Sequence, residues 1–452
     1  MALLRKILLE VYWEKLSKPQ INHRFIFSER GGAILVMSRK KEKLLVKIRE
    51  EATDKYFAYF VELRRLMPLN EAGAKIVDAF FNKKSSVKKI AKDSGLKEES
   101  VILKFLEQIK GEINCLYEGG YPIINNEQLD VPIAAELQVV TKCNLRCKHC
   151  CQSSYDKEMP MRQLENILRI LAEKNVFEIN LVGGEFFLHP NALEIIRQCC
   201  LKYNFATTVI TNGTFLTGNI IEKLEKFKNN LVFLISLEGV EENNDKIRGQ
   251  GVFVKVDKAI KNLKRAGFYV EISSTINNVN ISNYQEIVEY SDKLKVPVNF
   301  NLFKPFKSSQ ESLIIDPQKY FLFIDDIFRQ RKKTGANLGL TNAAIAANLT
   351  KNKRRKTCRA TLSGLTIDVN GKMIPCAFLG EIGYYGKEKL PKFGEDFLEQ
   401  WQNNKIFNRF RKGNTNECQA CSYIFNGAVQ KEDPYGLKAF LEYKIKAGGI
   451  GV

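Results

Sequence analysis

The sequence predicts an α/β protein: a partial (β/α)6 barrel with a winged helix-turn-helix-like domain before it and a small β-hairpin/helix domain after it. Three observations predict this. From Ala134 onward, short apolar runs alternate with amphipathic stretches, the pattern of a parallel sheet. Ahead of them, strand-like runs lead into three short helices. Behind them, the hairpin signal Asn370-Gly371 lies between cysteines. The expected domains are 1–125, 126–310 and 358–452, with a connector over 311–357. Six βα units leave a barrel open on one side, and an open mouth admits a long chain.

Length and composition bound the function. The chain has 452 residues, enough for two or three domains, and 44% of them are hydrophobic, enough for a real core. The net charge of +19 fits nucleic acid, an anionic surface or an acidic peptide as partner, and equally a solvated lysine-rich surface. No basic run is interleaved with aromatics as single-strand binders require, so nucleic acid is not the expected partner. The cluster Lys351 to Lys356 reads as solvated surface, or as a grip on an acidic peptide or phosphates. Arg5, Lys6 and Glu10 interrupt the N-terminus, which reads as an amphipathic helix (Leu4, Leu8 and Val11 on one face) and not as a secretory signal. No apolar run approaches the ~18 residues of a membrane span. Eleven cysteines without export argue for metal or redox use in the cytoplasm.

In the first region, Arg24 to Ser28 and Ala33 to Met37 read as strands about the turn Glu29 to Gly32. A charged stretch, Arg39 to Lys55, and a mixed run, Tyr56 to Leu66, follow. Leu69 to Phe81 has helical periodicity through Ala72, Ile76, Val77 and Phe80. Ser86 to Ser94 and Glu98 to Ile109 read as two more helices, with Val87, Ile90, Leu96, Val101, Leu103, Phe105, Leu106 and Ile109 as core. Such a domain binds DNA through its second helix, or binds a peptide. Glu118 to Gln128 reads as a linker.

The stretch that organises the chain is Cys143-Asn-Leu-Arg-Cys147-Lys-His-Cys150. It follows an apolar run, Leu137 to Val140, that reads as a strand buried on both faces. The cysteines therefore leave a strand at its C-terminal end, where barrels of this class place their chemistry. Three thiolates on a four-iron cubane leave one iron open. A zinc site needs a fourth ligand nearby, and Cys151, adjacent to Cys150, is badly placed to supply it.

This CxxxCxxC resembles the signature of the radical S-adenosylmethionine (radical SAM) superfamily. The resemblance implies a [4Fe-4S] cluster on Cys143, Cys147 and Cys150 whose open iron chelates SAM and whose electron splits it to a 5′-deoxyadenosyl radical. His149 stands where the family usually has an aromatic residue against the adenine. The second strand, Glu178 to Val182, ends in Gly183-Gly184-Glu185, which matches the family's GGE motif at the SAM amino group. The third, Ala206 to Thr211, ends in Thr211-Asn212, and the fourth, Leu231 to Leu237, carries Ser236 and Glu238. The resemblance puts Ser236 and Glu238 near the ribose and Arg248 near the carboxylate, although each strand end also reads as plain turn chemistry. Strands at Val270 to Thr275 and Val296 to Leu302 and helices at Arg162 to Lys174, Phe253 to Ala266 and Tyr284 to Leu294 complete the barrel. No residue announces itself as catalytic base or hydrogen donor. Cys199 and Cys200 lie in a helical pattern, where free cysteines are usually core.

After a helix at Gln318 to Lys332, Cys358, a hairpin ending at Cys376 and the pair Cys418 and Cys421 supply four further thiols, with a helix around Asp396 to Arg411 between them and a closing helix at Leu437 to Lys446. They resemble the twitch domain, the short form of the SPASM extension, which implies one auxiliary [4Fe-4S] cluster; a four-cysteine zinc ribbon is the alternative. The first region is similar to the PqqD-like peptide-recognition domain, to which a leader peptide adds as a strand. Together the parts resemble maturases of ribosomally made, post-translationally modified peptides, including the sactipeptide type. The implied reaction is hydrogen abstraction from a precursor peptide, ending in a thioether or other crosslink, with a flavodoxin or ferredoxin as reductant. The alternatives are a peptide epimerase, a small-molecule dehydrogenase, or a redox-sensing nucleic-acid-binding protein.

Overall fold

A computed structural model describes residues 45–52, 55–61, 65–93, 99–114, 129–152, 154–334, 338–341, 360–386, 388–412, 418–427 and 433–446. The N-terminal helix, the two strands before Met37, the linker, Leu96, the cluster Lys351 to Lys356 and Cys358 lie outside them. The chain divides into two compact units, Met1–Leu116 and Tyr117–Val452.

In the first unit, β1 (Val46–Ala52), β2 (Lys55–Phe60) and β3 (Arg65–Leu69) form an antiparallel sheet in that order. Three helices follow: α1 (Glu71–Val77), α2 (Val87–Asp93) and α3 (Glu99–Asn114). The charged stretch before Lys55 is thus partly a strand. Val46 and Ile48 join the core, while buried Arg49 pairs with Glu51 at 2.8 Å along the same strand. Asn70 caps α1 by accepting from the Gly73 N–H at 2.9 Å. The buried face of α1 is Gly73, Ala74, Ile76 and Val77; Ala72 is exposed. Phe60 meets Phe81 edge-on at 5.3 Å, and Ile102, Phe105, Leu106 and Ile109 of α3 close the core. Leu103, expected inside, is 48% exposed, on the opposite face of α3.

The second unit is built on one nine-stranded sheet. Six parallel strands form its middle: β4 (Ala134–Val140), β5 (Glu178–Gly183), β6 (Ala206–Thr211), β7 (Leu231–Ser236), β8 (Tyr269–Ile276) and β9 (Val298–Leu302). The crossovers include α4 (Met161–Glu173), α5 (Ala192–Arg197), α6 (Gly218–Leu224), α7 (Glu242–Arg248), α8 (Val252–Arg265) and α9 (Tyr284–Leu294). Cys199 and Cys200 are buried in a π-helical turn after α5, as core residues. Beyond β9, α10 (Pro317–Thr334) leads to a further parallel strand, β10 (Leu338–Leu340), in what reads from sequence as a connector. At the other edge, β11 (Gly364–Ile367) pairs parallel with β4, and β12 (Met373–Ile374) turns back along it. The hairpin therefore extends the barrel sheet and covers the edge that β4 would otherwise expose.

The strand β4 is not buried on both faces. Ala135, Leu137 and Val139 are fully buried, while Glu136 and Gln138 between them are half-buried. The same alternation runs across the sheet in register: Glu136 opposes Asn180, Ser236 opposes Ser273, and Ser273 opposes Asn299. One face is apolar and buried; the other is half-buried and mixes polar residues with Val182, Ile210, Val232 and Leu234. C-terminal to the hairpin come α11 (Ala377–Glu381), α12 (Phe397–Asn403), α13 (Lys405–Lys412), α14 (Gln419–Asn426) and α15 (Leu437–Lys446). The single helix read around Asp396 to Arg411 is two, broken at Asn404, whose side chain accepts from the Ile406 N–H at 2.9 Å. No described helix is long and apolar enough to cross a membrane.

Candidate functional site

The three cysteines of the organising stretch lie on the loop that leaves β4. Each sulfur has donors within reach. The Leu145 N–H donates to Cys143 Sγ at 3.4 Å, and the Gln152 N–H to Cys150 Sγ at 3.4 Å. Side chains reach the same atoms: Asn212 Nδ2 lies 3.9 Å from Cys143 Sγ, Arg248 Nη1 3.8 Å from Cys147 Sγ, and the Tyr155 hydroxyl 3.8 Å from Cys150 Sγ. Burial pushes the Cys143 thiol up and that of Cys147 up to about 11. Such thiols ionise when a cation sits on them, and the N–H donors then stabilise the thiolates.

Gly183 and Gly184 bring β5 against this loop. A Cβ on Gly183 would lie 2.1 Å from the Val140 carbonyl oxygen; one on Gly184 would lie 2.3 Å from that of Thr141 and 2.4 Å from that of Lys142. The Gly184 N–H donates to Val140 O and the Glu185 N–H to Lys142 O, both at 2.8 Å. The tight approach these glycines permit is therefore to the cysteine loop itself.

Glu185 is fully buried and ties the ends of β5 and β6 together. Its carboxylate accepts from the Thr211 hydroxyl at 2.6 Å, the Asn212 N–H at 2.7 Å and the Phe187 N–H at 3.1 Å. Burial raises its pKa, and these three bonds act against that rise. Asn212 also donates to Asn144 at 2.9 Å, which links the end of β6 to the cysteine loop.

Across the loop, Glu238 and Arg248 are buried and paired, with Nη2 donating to Oε1 at 3.1 Å and Nε to Oε2. Burial pushes the Glu238 carboxyl up, but Arg248 and then His149 more than offset this and hold it low. His149 Nε2 lies 3.6 Å from Glu238, and burial lowers this imidazole to about 4. Its Nδ1 is buried with no hydrogen-bond partner among the described residues. A group bound at this loop would satisfy that orphaned atom. The donor set therefore fits a thiolate-held cluster with a polar small molecule beside it. Ser236 ends β7 on the half-buried face.

Sequence reasoning missed the other polar residues of that face. Glu136, Gln138, Asn180, Glu271, Asn299 and Asn301 alternate with core residues along their strands. The signal was in the sequence, as in Val-Asn-Phe-Asn-Leu of β9, where period two marks one polar face. Cys151, adjacent to Cys150, is half-buried, and burial pushes its thiol up to about 12.

Of the second cysteine set, Cys376, Cys418 and Cys421 are described. Cys376 follows β12, and its N–H donates to the Tyr385 hydroxyl at 3.1 Å. Cys418 and Cys421 flank the start of α14 and lie close enough for the Cys421 thiol to hydrogen-bond to the Cys418 sulfur, which lowers the Cys418 pKa and raises that of Cys421. Burial opposes the charge of the Lys304 ammonium, but Cys421, Cys418, Asp433 and Cys376 nearby more than offset it and raise its pKa.

Residues 137–294 match the Radical SAM superfamily. Over 261 residues the chain is 26% identical to the antilisterial bacteriocin subtilosin biosynthesis protein AlbA of Bacillus subtilis, a stretch covering 56% of each chain. Over 312 residues it is 26% identical to the mycofactocin maturase MftC of Mycobacterium tuberculosis, covering 65% of this chain and 77% of MftC. The chain thus spans little more than half the length of AlbA. Among solved structures, Streptococcus suis SuiB bound to its precursor peptide SuiA superposes with a TM-score of 0.64 at 15% identity, covering 86% of this chain and 97% of SuiB. That likeness is one of fold. The loop geometry and the match over the same strands agree: residues 137–294 are a radical SAM domain.

Proposed function

We propose that this chain is a radical SAM maturase that modifies a ribosomally made precursor peptide, most simply by closing a thioether or other crosslink. The observation that carries the chemistry is the loop after β4, with three partly buried thiols, donors on each sulfur and an orphaned imidazole nitrogen beside them. The similarity to AlbA and MftC supports a peptide as substrate.

In this reading Cys143, Cys147 and Cys150 hold a [4Fe-4S] cluster, and His149, Gly183, Gly184, Glu185, Thr211, Asn212, Ser236, Glu238 and Arg248 form the SAM site. A cluster and SAM held there would supply radical chemistry able to take hydrogen from the peptide. The chain's own residues position and shield. Glu185 holds the ends of β5 and β6 in register, so Asn212 keeps its place over the cysteine loop. Arg248, held by Glu238, keeps a positive charge beside Cys147, which favours its thiolate. Glu136, Gln138, Asn180, Asn299 and Asn301 on the half-buried face would give a peptide backbone hydrogen-bonding partners.

Residues 1–125 hold the leader in this reading, 126–310 are the barrel, and 358–452 carry one auxiliary cluster on Cys358, Cys376, Cys418 and Cys421 after the connector 311–357. Among the described residues of the first unit, the sheet has edges at β1 and β3 where a leader strand can add. A flavodoxin or ferredoxin supplies electrons, and reduced thiols fit a cytoplasmic location.

The test is anaerobic incubation of the reduced enzyme with SAM and a precursor peptide encoded beside its gene, in heavy water, read by mass spectrometry. Loss of two hydrogens from the peptide is the expected result. Gain of one deuterium identifies an epimerase instead. An unchanged peptide alongside SAM cleavage would count against a peptide substrate.

A further inference from the structure

We propose that Gln310 is a positioning residue of the first cluster site: its side-chain amide clamps the turn that carries His149 and Cys150. The proposal rests on the radical SAM reading above and adds to it a residue outside the 137–294 match.

Residues Lys307 to Ser312, Lys-Ser-Ser-Gln-Glu-Ser, read as a solvated polar run, and Lys307, Ser308, Ser309, Glu311 and Ser312 are exposed. Gln310 alone among them is buried, at 4% exposure. The run folds as a 3₁₀ turn, Ser308–Leu313, in which residues three apart share a face, so Gln310 points inward together with Leu313. There the amide spends both of its donors and one acceptor. Its Nε2 donates to the Lys148 carbonyl at 2.9 Å and to the Cys150 carbonyl at 3.1 Å, and its Oε1 accepts from the Phe306 N–H at 2.9 Å. The three partners fix the amide's orientation, because the flipped group would set its oxygen against two carbonyls.

The clamp has a firm base. The Asn278 N–H donates to the Leu313 carbonyl at 2.9 Å, and the Phe303 N–H donates to the Ile276 carbonyl at 2.9 Å, which ties the turn to the ends of β8 and β9. On the other side, the Lys148 N–H donates to the Ile247 carbonyl of α7 at 3.0 Å, next to Arg248. Lys148 is thus gripped at its N–H by α7 and at its carbonyl by Gln310. Within the loop, the Cys150 N–H donates to the Cys147 carbonyl at 3.0 Å. Moving the turn would leave a buried amide and two carbonyls short of partners, at a cost that holds it in one place. The two donors of Gln310 fall on the backbone either side of His149. The clamp therefore sets where the His149 ring and Cys150 Sγ stand relative to Cys143 and Cys147.

The test uses the full chain with Gln310→Met, which keeps the side chain's length but cannot donate, and with Gln310→Glu, which keeps an acceptor for the Phe306 N–H but sets a carboxylate against two carbonyls. In the metal-free protein, hydrogen–deuterium exchange read by mass spectrometry compares residues 147–152 with β7. Both variants are expected to exchange the loop amides roughly tenfold faster or more, and to leave β7 unchanged. After anaerobic reconstitution with iron and sulfide, iron per chain is expected to fall about twofold or more. The change that SAM makes in the low-temperature electron paramagnetic resonance (EPR) spectrum of the reduced protein should shrink with it. Unchanged loop exchange in both variants overturns the proposal. So does exchange that quickens equally in β7, or failure of both variants to fold, since either marks Gln310 as a core residue only. A parent chain whose iron is unchanged by Cys143→Ala, Cys147→Ala and Cys150→Ala together overturns the radical SAM reading instead, and exchange in the metal-free protein still decides the clamp.

Discussion

Arg248 grips Glu238 through Nε and Nη2 while its Nη1 lies 3.8 Å from the sulfur of Cys147. One buried ion pair thus spans from the end of β7 to the cysteine loop. Both partners are nearly inaccessible, so removing one charge strands the other. Glu238→Gln is expected to destabilise the fold by about 3 kcal/mol, read as a lowered urea midpoint, and to weaken SAM binding in equilibrium dialysis. An unchanged midpoint would show the pair to be dispensable.

His149 makes the metal-free protein sensitive to acid. Its imidazole falls from its ordinary 6.5 to about 4, chiefly through burial. As pH drops below 6.5, the unfolded chain takes up the proton first. The stabilisation is therefore complete above pH 6.5 and is lost as pH falls toward 4, at up to about 1.4 kcal/mol per pH unit. His149→Phe keeps an aromatic ring but cannot titrate. Urea midpoints of the apo protein should show a shallower acid slope for this variant than for the parent; parallel slopes would refute the assignment.

Gly184 is where the end of β5 touches the cysteine loop, and a side chain there meets backbone on two sides. Gly184→Ala is expected to displace the loop and lower iron at the first cluster at least twofold, with all three cysteines intact. Gly218→Ala, at the start of α6 with nothing within 4 Å, is the control and should keep its iron. Iron analysis after identical reconstitution decides it.

Lys304 places a cation beside the second cysteine set. Removing it makes adding an electron there harder. Lys304→Met should lower the auxiliary midpoint potential by on the order of 100 mV, in an EPR-monitored redox titration of the chain lacking the first three cysteines. A potential unchanged or raised would place the ammonium outside the electrostatic reach of the centre.

Much of the barrel was legible because its signals are local. The strand Ala206–Thr211 and the helix Tyr284–Leu294 match their sequence reading to the residue, since each alternates or repeats within its own length. The cysteine spacing and GGE were legible because they lie in short continuous stretches. The strand β1 was hidden, since a run such as Val-Lys-Ile-Arg-Glu-Glu-Ala reads as solvated charge until Arg49 and Glu51 are seen paired. The strand β10 was hidden because three residues carry too little periodicity.

The sequence by itself determined the chemistry available: three thiols at a strand's end, glycines before an acid, and a second set of cysteines beyond the barrel. These follow from residue type and spacing. Only the tertiary structure decided which groups meet. It spends Glu185 on the neighbouring strand's end, joins Arg248 to Glu238 and Cys147, docks the late hairpin beside β4, and brings Asp433 to Cys418 and Cys421. Such pairings are made by side chains far apart along the chain, and only packing of the whole sheet sets the distances between them.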